Sequence, residues 1–359
     1  MKKNILFFMS GMMLLCCCSK EVDNKQVEIE KFMYKFEIIG EEMIVDDNLF
    51  FPKKMLFLND STIAITEIKD DYGVKIFNIQ TNHIHLIDKL GHKGEGPNEI
   101  KSNVNTIQND TLNQDEGLWI SDARCMQFHS YNIERDDWNE NFSKKIPLPL
   151  MLSPVSKCFV ISEDCLLGNT IKVDEQVFIY SPNEENTKYY SFYPIRPNLY
   201  DKHESKMFFG GDMEIKPDKT SFVLAYELFK AICIIPLDNP EENILLTFKD
   251  SPFPKNVNIQ NMSSYPLQYL RIYTTNQYIY VLYAGKTIET LNEDSTTLSI
   301  HVFGWDGTAY CKLQLDRLIN CFCVSKDNKI LYGINPTHEE NSICYRFTLP
   351  EFLSKQAKN

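Results

Sequence analysis

The sequence predicts an all-β fold, a six-bladed β-propeller whose ring is closed by an N-terminal strand in the last blade. Three observations carry this. Apolar and polar residues alternate with period two in run after run, turns rich in Asn, Asp and Gly separate the runs, and a four-run plan recurs every 40 to 70 residues or so.

The first unit has runs at residues 55–58, 62–66, 74–78 and 83–87, separated by Asn59-Asp60-Ser61, Asp70-Asp71-Tyr72-Gly73 and Thr81-Asn82. Four strands joined by such turns form a meander, the unit of one blade. The second unit is expected at 104–108, 117–121, 125–131 and 142–146, and the third at 157–161, 166–170, 177–180 and 188–193. The fourth covers 212–215, 221–225, 232–237 and 244–248, and the fifth 269–273, 278–283, 298–303 and 310–315. The sixth has only three runs, 318–324, 330–334 and 343–348. Residues 32–39, where Phe32, Tyr34, Phe36 and Ile38 alternate with Met33, Lys35, Glu37 and Ile39, belong to no unit of their own. They are expected as the outer strand of the sixth blade, a closure that protects edges an open array would expose.

A chain of 359 residues with 43% hydrophobic content can bury a large core. Its 37 basic and 49 acidic residues leave a net charge of −12, which repels phosphate backbones, so nucleic acid is excluded as an expected partner. After the first residues, no run reaches the roughly 18 apolar residues of a spanning helix.

Those first residues carry an address. Lys2 and Lys3 precede an apolar stretch at 5–15, followed by Leu15-Cys16-Cys17-Cys18-Ser19. This resembles a bacterial lipoprotein signal, in which an apolar residue lies three positions before the cysteine that is lipidated. Cys18 fits with Leu15, and Cys17 fits with Leu14. The expected organisation is a signal peptide at 1–17, a flexible tether at 18–27 and the propeller at 28–359. The expected location is the outer membrane, on its periplasmic or surface face, with membrane contact through the lipid alone. Eight further cysteines contain no Cys-x-x-Cys pair and are expected as buried free thiols, since unpaired Cys packs as a small hydrophobe.

Between the first and second units lies Gly91-His92-Lys93-Gly94-Glu95-Gly96-Pro97-Asn98-Glu99-Ile100. Its glycines permit backbone angles that other residues resist, and Pro97 removes a donor, so a rigid, shaped connector is expected. Glu99 either bonds the backbone amides of this turn or serves as a rim ligand for a metal or hydroxylated substrate. Arg271, flanked by Tyr269 and Tyr273 on one strand face, would recognise a carboxylate or phosphate bidentately from an innermost strand. Its alternative is a pairing with an acid of a neighbouring blade. The seven histidines show no tight ligand spacing, and His83 and His85 share a face of an outer, solvated strand, so no metal site is expected. No Gly-x-Ser-x-Gly elbow or P-loop occurs.

The connector resembles the Gly-x-Gly-Pro-Gly-Glu turn after the first blade of TolB-like six-bladed β-propeller lipoproteins of Gram-negative anaerobes, with Asn98 where that pattern usually has Gly. Residues 273–285 resemble the fifth-blade hairpin of that family, and Val302-Phe303-Gly304-Trp305-Asp306-Gly307 its following strand and turn. The resemblance spans residues 50–349 and implies the fold and export; it implies little chemistry.

Two functions of different class follow. The preferred one is a lipid-anchored binding or scaffolding module for a glycan, peptide or protein of the cell envelope, with no cofactor. The alternative is a hydrolase of the six-bladed lactonase type, which would hold a divalent cation such as calcium in the channel. Such a cage needs about four carboxylate and amide side chains converging from innermost strands. Asn103 and Asp212 are the candidates, without a convincing set around them.

Overall fold

The computed structural model describes residues 20–21, 25–96, 99–109, 117–122, 125–132, 137–138, 143–153, 155–170, 173, 175–194, 208–253, 264–291, 297–335 and 342–355. Four strands open the chain, β1 (Lys20–Glu21), β2 (Lys25–Ile29), β3 (Tyr34–Ile38) and β4 (Gly40–Val45). The first meander is β5 (Pro52–Phe57), β6 (Thr62–Glu67), β7 (Tyr72–Ile79) and β8 (His83–His92). The second comprises β9 (Thr106–Asn109), β10 (Gly117–Ser121), β11 (Cys125–Asn132), the short β12 (Asp137–Trp138) and β13 (Lys144–Pro147). The third contains β14 (Val155–Ser162), β15 (Cys165–Thr170), β16 (Val177–Ser181) and β17 (Asn186–Ser191), and the next β18 (Gly211–Ile215), β19 (Ser221–Tyr226), β20 (Ile232–Pro236) and β21 (Ile244–Phe248). Then come β22 (Leu267–Thr274), β23 (Tyr278–Lys286), β24 (Ser299–Gly304) and β25 (Ala309–Leu315), and last β26 (Cys321–Val324), β27 (Ile330–Asn335) and β28 (Ile343–Thr348).

Within each unit, successive strands pair antiparallel, as short polar turns dictate. Burial follows position. In β6, β10 and β24 every residue is buried, because both faces of these strands are covered, whereas the fourth strands β8 and β17 are half-exposed. The described strands form five sheets, four of five strands and one of eight, in a propeller-like arrangement. The eight-stranded sheet joins the first and last meanders through β4, in the order β26-β27-β28-β4-β8-β7-β6-β5.

The N-terminal segment departs from expectation. Residues 32–39 do not lie beside β28: β3 pairs parallel with β25, Phe36 opposite Leu313. The next strand, β4, takes the place beside β28, antiparallel, with Gly40 opposite Phe347 and Met43 opposite Cys344. Alternation shows that a segment is a strand but not which edge receives it. The choice is made by local fit. A Cβ on Gly40 would stand 2.8 Å from Phe347 Cε1, and the Gly40 amide donates to Asp316 Oδ1 at 2.8 Å.

Part of the expected tether is also strand. β1 pairs parallel with β17, and β2 pairs parallel with β21 from Lys25 opposite Ile244 to Ile29 opposite Phe248. Only Ile29 of β2 is buried, so backbone bonds to an open edge hold a segment whose composition looks solvated. The added strands β1, β2 and β3 cover three outer edges that would otherwise be free to pair with another chain.

Phe32 fills the gap between two meanders, its ring 5.6 Å from Phe248 and 5.5 Å from Phe303. A short helix, Glu351–Lys355, sets Phe352 against Tyr34 and Phe36 at 5.2 and 5.7 Å. The eight described cysteines are free, seven buried and Cys165 half-buried, and burial pushes all their thiols up. Among the described residues, no helix is long and apolar enough to cross a membrane.

Candidate functional site

Two cavities lie along the first strands of the meanders. The one near the beginnings of these strands has a volume of about 190 Å³ and takes Lys54 from β5, Lys157 from β14, Asp212 from β18, Arg271 from β22 and Phe322 from β26. The other, about 440 Å³, lies at their ends, with an apolar wall that includes Phe57, Ile215, Tyr273 and Val324 and a polar edge that includes Asn276 and Gln277. Lys54 lines both.

Charges on the first strands form a network. Lys54 Nζ meets Glu214 Oε2 at 2.6 Å, with side chains 13% and 9% exposed. Lys157 Nζ pairs with Asp212 Oδ1, donates to the Met213 carbonyl at 2.9 Å and lies 4.0 Å from Glu214 Oε2. The other Asp212 oxygen accepts from the Ile272 amide at 2.8 Å, which links β18 to β22. Burial alone would push the Asp212 carboxyl up, but Lys157, Arg271 and the Ile272 amide outweigh it and hold it below the usual range. Burial, and then the like charge of Lys157, press the Lys54 ammonium downward against the opposing Glu214. Arg271 Nη1 donates to the Leu270 carbonyl at 2.7 Å and lines a further cavity with Glu227, whose carboxyl burial pushes up.

The expected trio around Arg271 is divided. Bulges at Leu267/Tyr269 and Tyr269/Arg271 break the two-residue period of β22, so Tyr269 turns into the core, 1% exposed, with its hydroxyl 3.1 Å from His301 Nδ1. Arg271 lines the smaller cavity and Tyr273 the larger, where the Tyr273 hydroxyl accepts from the Phe57 amide at 3.5 Å. Asn103 is exposed and lines neither cavity; Asn105 lines the smaller one and donates to the Val155 carbonyl at 3.1 Å. Residues 103–105 precede β9 as irregular chain, so no strand alternation turns Asn103 toward the cavity. Asp212 lies where an innermost strand should place it.

Lys54, Lys157 and Glu214 were not singled out by the sequence. Their signal is partial: charged side chains interrupt the first strands β5, β14, β18 and β22 but not β9 or β26. Asp212 and Glu214 are both engaged by lysine ammonium groups, an arrangement unlike the converging carboxylate and amide cage of a lactonase-type cation.

The connector lines neither cavity. It is a closed turn in which the Ile100 amide donates to the His92 carbonyl at 2.9 Å and the Gly94 amide to the Ile100 carbonyl at 3.1 Å. Gly91 has φ +66°, the left-handed region that glycine tolerates. Glu99 Oε2 accepts from the Gly96 amide at 2.6 Å, and Oε1 lies 3.1 Å from His92 Nδ1, so the carboxylate is bound within the turn. That amide, aided by His92, holds the Glu99 carboxyl below its usual range. Pro97, Asn98, Cys17 and Cys18 lie outside the described residues.

No curated protein matches the sequence. Among solved structures, the chain is similar to a member of the DUF4221 family from Bacteroides vulgatus, with 12% identity, 87% of this chain and 98% of that chain covered, and a TM-score of 0.56. It is also similar to a protein from Bacteroides fragilis described as exported, with 12% identity, 92% and 100% coverage, and a TM-score of 0.53. Identity this low speaks to fold alone. A family model matches residues 36–327, most of the sequence: this chain belongs to the TolB-like 6-blade propeller-like family.

Proposed function

We propose that this protein is a lipid-anchored, exported six-bladed propeller that binds a cell-envelope glycan, peptide or protein through a carboxylate-bearing group at the Arg271 end of its channel. The eight-stranded sheet is then two blades joined at the point of closure, with β4 as the outer strand of the last. Acylation at Cys18 and an outer-membrane address rest on the anatomy of the leader. A structural neighbour described as exported supports export, and not the anchor or the membrane.

One observation carries the ligand class. In a chain of net charge −12, the smaller cavity is lined by Lys53, Lys54, Lys157 and Arg271 with Asp212; Glu214 and Asp212 take up Lys54 and Lys157, so the excess positive charge there comes from Lys53 and Arg271. A positive mouth on an acidic protein attracts anions while the rest of the surface repels them. Arg271 supplies a planar fork that matches a carboxylate. The adjoining apolar wall would hold the remainder of the ligand.

Calorimetry with galacturonate oligomers and acidic peptides, against neutral oligomers and amidated peptides, tests this. The carboxylate-bearing probes are expected to bind and the neutral ones not, with Arg271→Met weakening binding at least tenfold. Equal binding of charged and neutral probes, or an unchanged affinity in the variant, would overturn the reading.

A further inference from the structure

A second constellation lines neither cavity and lies at the joint between the first and last meanders. β4 and β8 run parallel there, and their register consists of two pairs, Ile44 with His83 and Val45 with Ile84. The Asp46 amide extends the joint by donating to the Ile84 carbonyl at 3.1 Å. This places the Asp46 side chain over the face of β8 that carries both His83 and His85. His83 Nε2 meets Asp46 Oδ1, and His85 Nδ1 meets Asp46 Oδ2. The imidazole rings stack with centroids 4.0 Å apart and planes inclined by 25°.

The donor atoms have the composition and arrangement of a transition-metal site. One ligand atom from each of Asp46, His83 and His85 lies within 4.8 Å of the other two, the only such group among the described residues. In a tetrahedral zinc site with bonds of about 2.0–2.1 Å, ligand atoms stand roughly 3.3 Å apart, so small side-chain rotations suffice. Asp46 is exposed and the two histidines are half-buried, which leaves a side open for a water as fourth ligand. Two imidazoles with one carboxylate suit zinc, nickel or copper and are poor ligands for calcium or magnesium, which take oxygen.

We propose that Asp46, His83 and His85 bind one zinc-class divalent cation that staples the end of β4 to β8. The location gives the ion a structural task. Ladder pairing at this joint is two residues long, against four between β28 and β4. A cation held from both strands adds a bond where the ladder adds few. Neither the spacing His83-x-His85 nor Asp46 alone indicates it, since the third ligand comes from another strand.

The test uses the metal alone. Calorimetry of the purified full chain with zinc chloride is expected to give one bound ion per protein, and calcium chloride none. His83→Ala and His85→Ala should each weaken zinc binding more than tenfold, and Asp46→Ala likewise. Zinc should raise the Tm of the natural protein and slow hydrogen exchange at Val45 and Ile84, with neither effect in the His83→Ala/His85→Ala variant. That variant should keep the metal-free circular dichroism spectrum, because these side chains are on the surface. No stoichiometric zinc uptake, or uptake that survives in the double variant, would overturn the proposal.

Discussion

Lys54 and Glu214, contributed by strands β5 and β18 of different meanders, meet at 2.6 Å in the wall of the larger cavity, 160 positions apart in the chain. Contacts of this kind tie the first strands of the units to one another. They also place opposite charges side by side in a confined space, where one partner without the other is costly.

Removing only the acid should therefore be damaging. Glu214→Gln leaves a largely buried ammonium with Asp212 as its remaining counter-charge, and a loss of about 3 kcal/mol is expected. Lys54→Met combined with Glu214→Leu should cost clearly less than the two single changes added together, since neither orphaned charge remains. Urea unfolding of the four proteins measures the coupling. Strict additivity would show that the pair contributes nothing through direct contact.

Asp212 should make stability depend on acid. Its carboxyl is held low in the folded chain by Lys157, Arg271 and the Ile272 amide, in spite of burial. The unfolded chain thus takes up a proton before the folded one as pH falls. The contribution of Asp212 is complete above its unfolded pKa, near ~4, and is lost as pH falls through the lower folded value. An Asp212→Asn variant should be less stable at neutral pH and lose less on acidification. Parallel acid limbs for the two proteins in urea unfolding would refute this role.

A side chain at Gly94 would meet the Glu99 carboxylate directly. A Cβ there would lie 2.0 Å from Glu99 Oε2, the oxygen that accepts from the Gly96 amide. Gly94→Ala is expected to expel the carboxylate, speed hydrogen exchange at the Gly96 amide and lower the Tm. Glu99→Gln, which keeps an acceptor oxygen, should do so less. If Gly94→Ala leaves exchange at Gly96 unchanged, the carboxylate does not organise this turn.

The sequence by itself determined the all-β class and the succession of meanders, because burial on a pleated strand imposes a period of two and tight turns demand Asn, Asp and Gly; β6, β10, β19 and β23 begin at the residues where the alternating runs begin, and β23 extends three residues beyond its run. It also located Asp212 and Arg271 on first strands and offered, as one of two readings, Glu99 as an acceptor for the connector's own amides. Tertiary structure alone decided which edge received which N-terminal strand, since an edge offers the same backbone donors and acceptors to any extended segment, and the fit of Gly40 under Phe347 has no trace in local pattern. The bulges that turned Tyr269 into the core, the meeting of Lys54 with Glu214 and the approach of Asp46 to His83 and His85 have the same origin. Each depends on residues distant in the chain, whose separation is fixed only when the sheets pack.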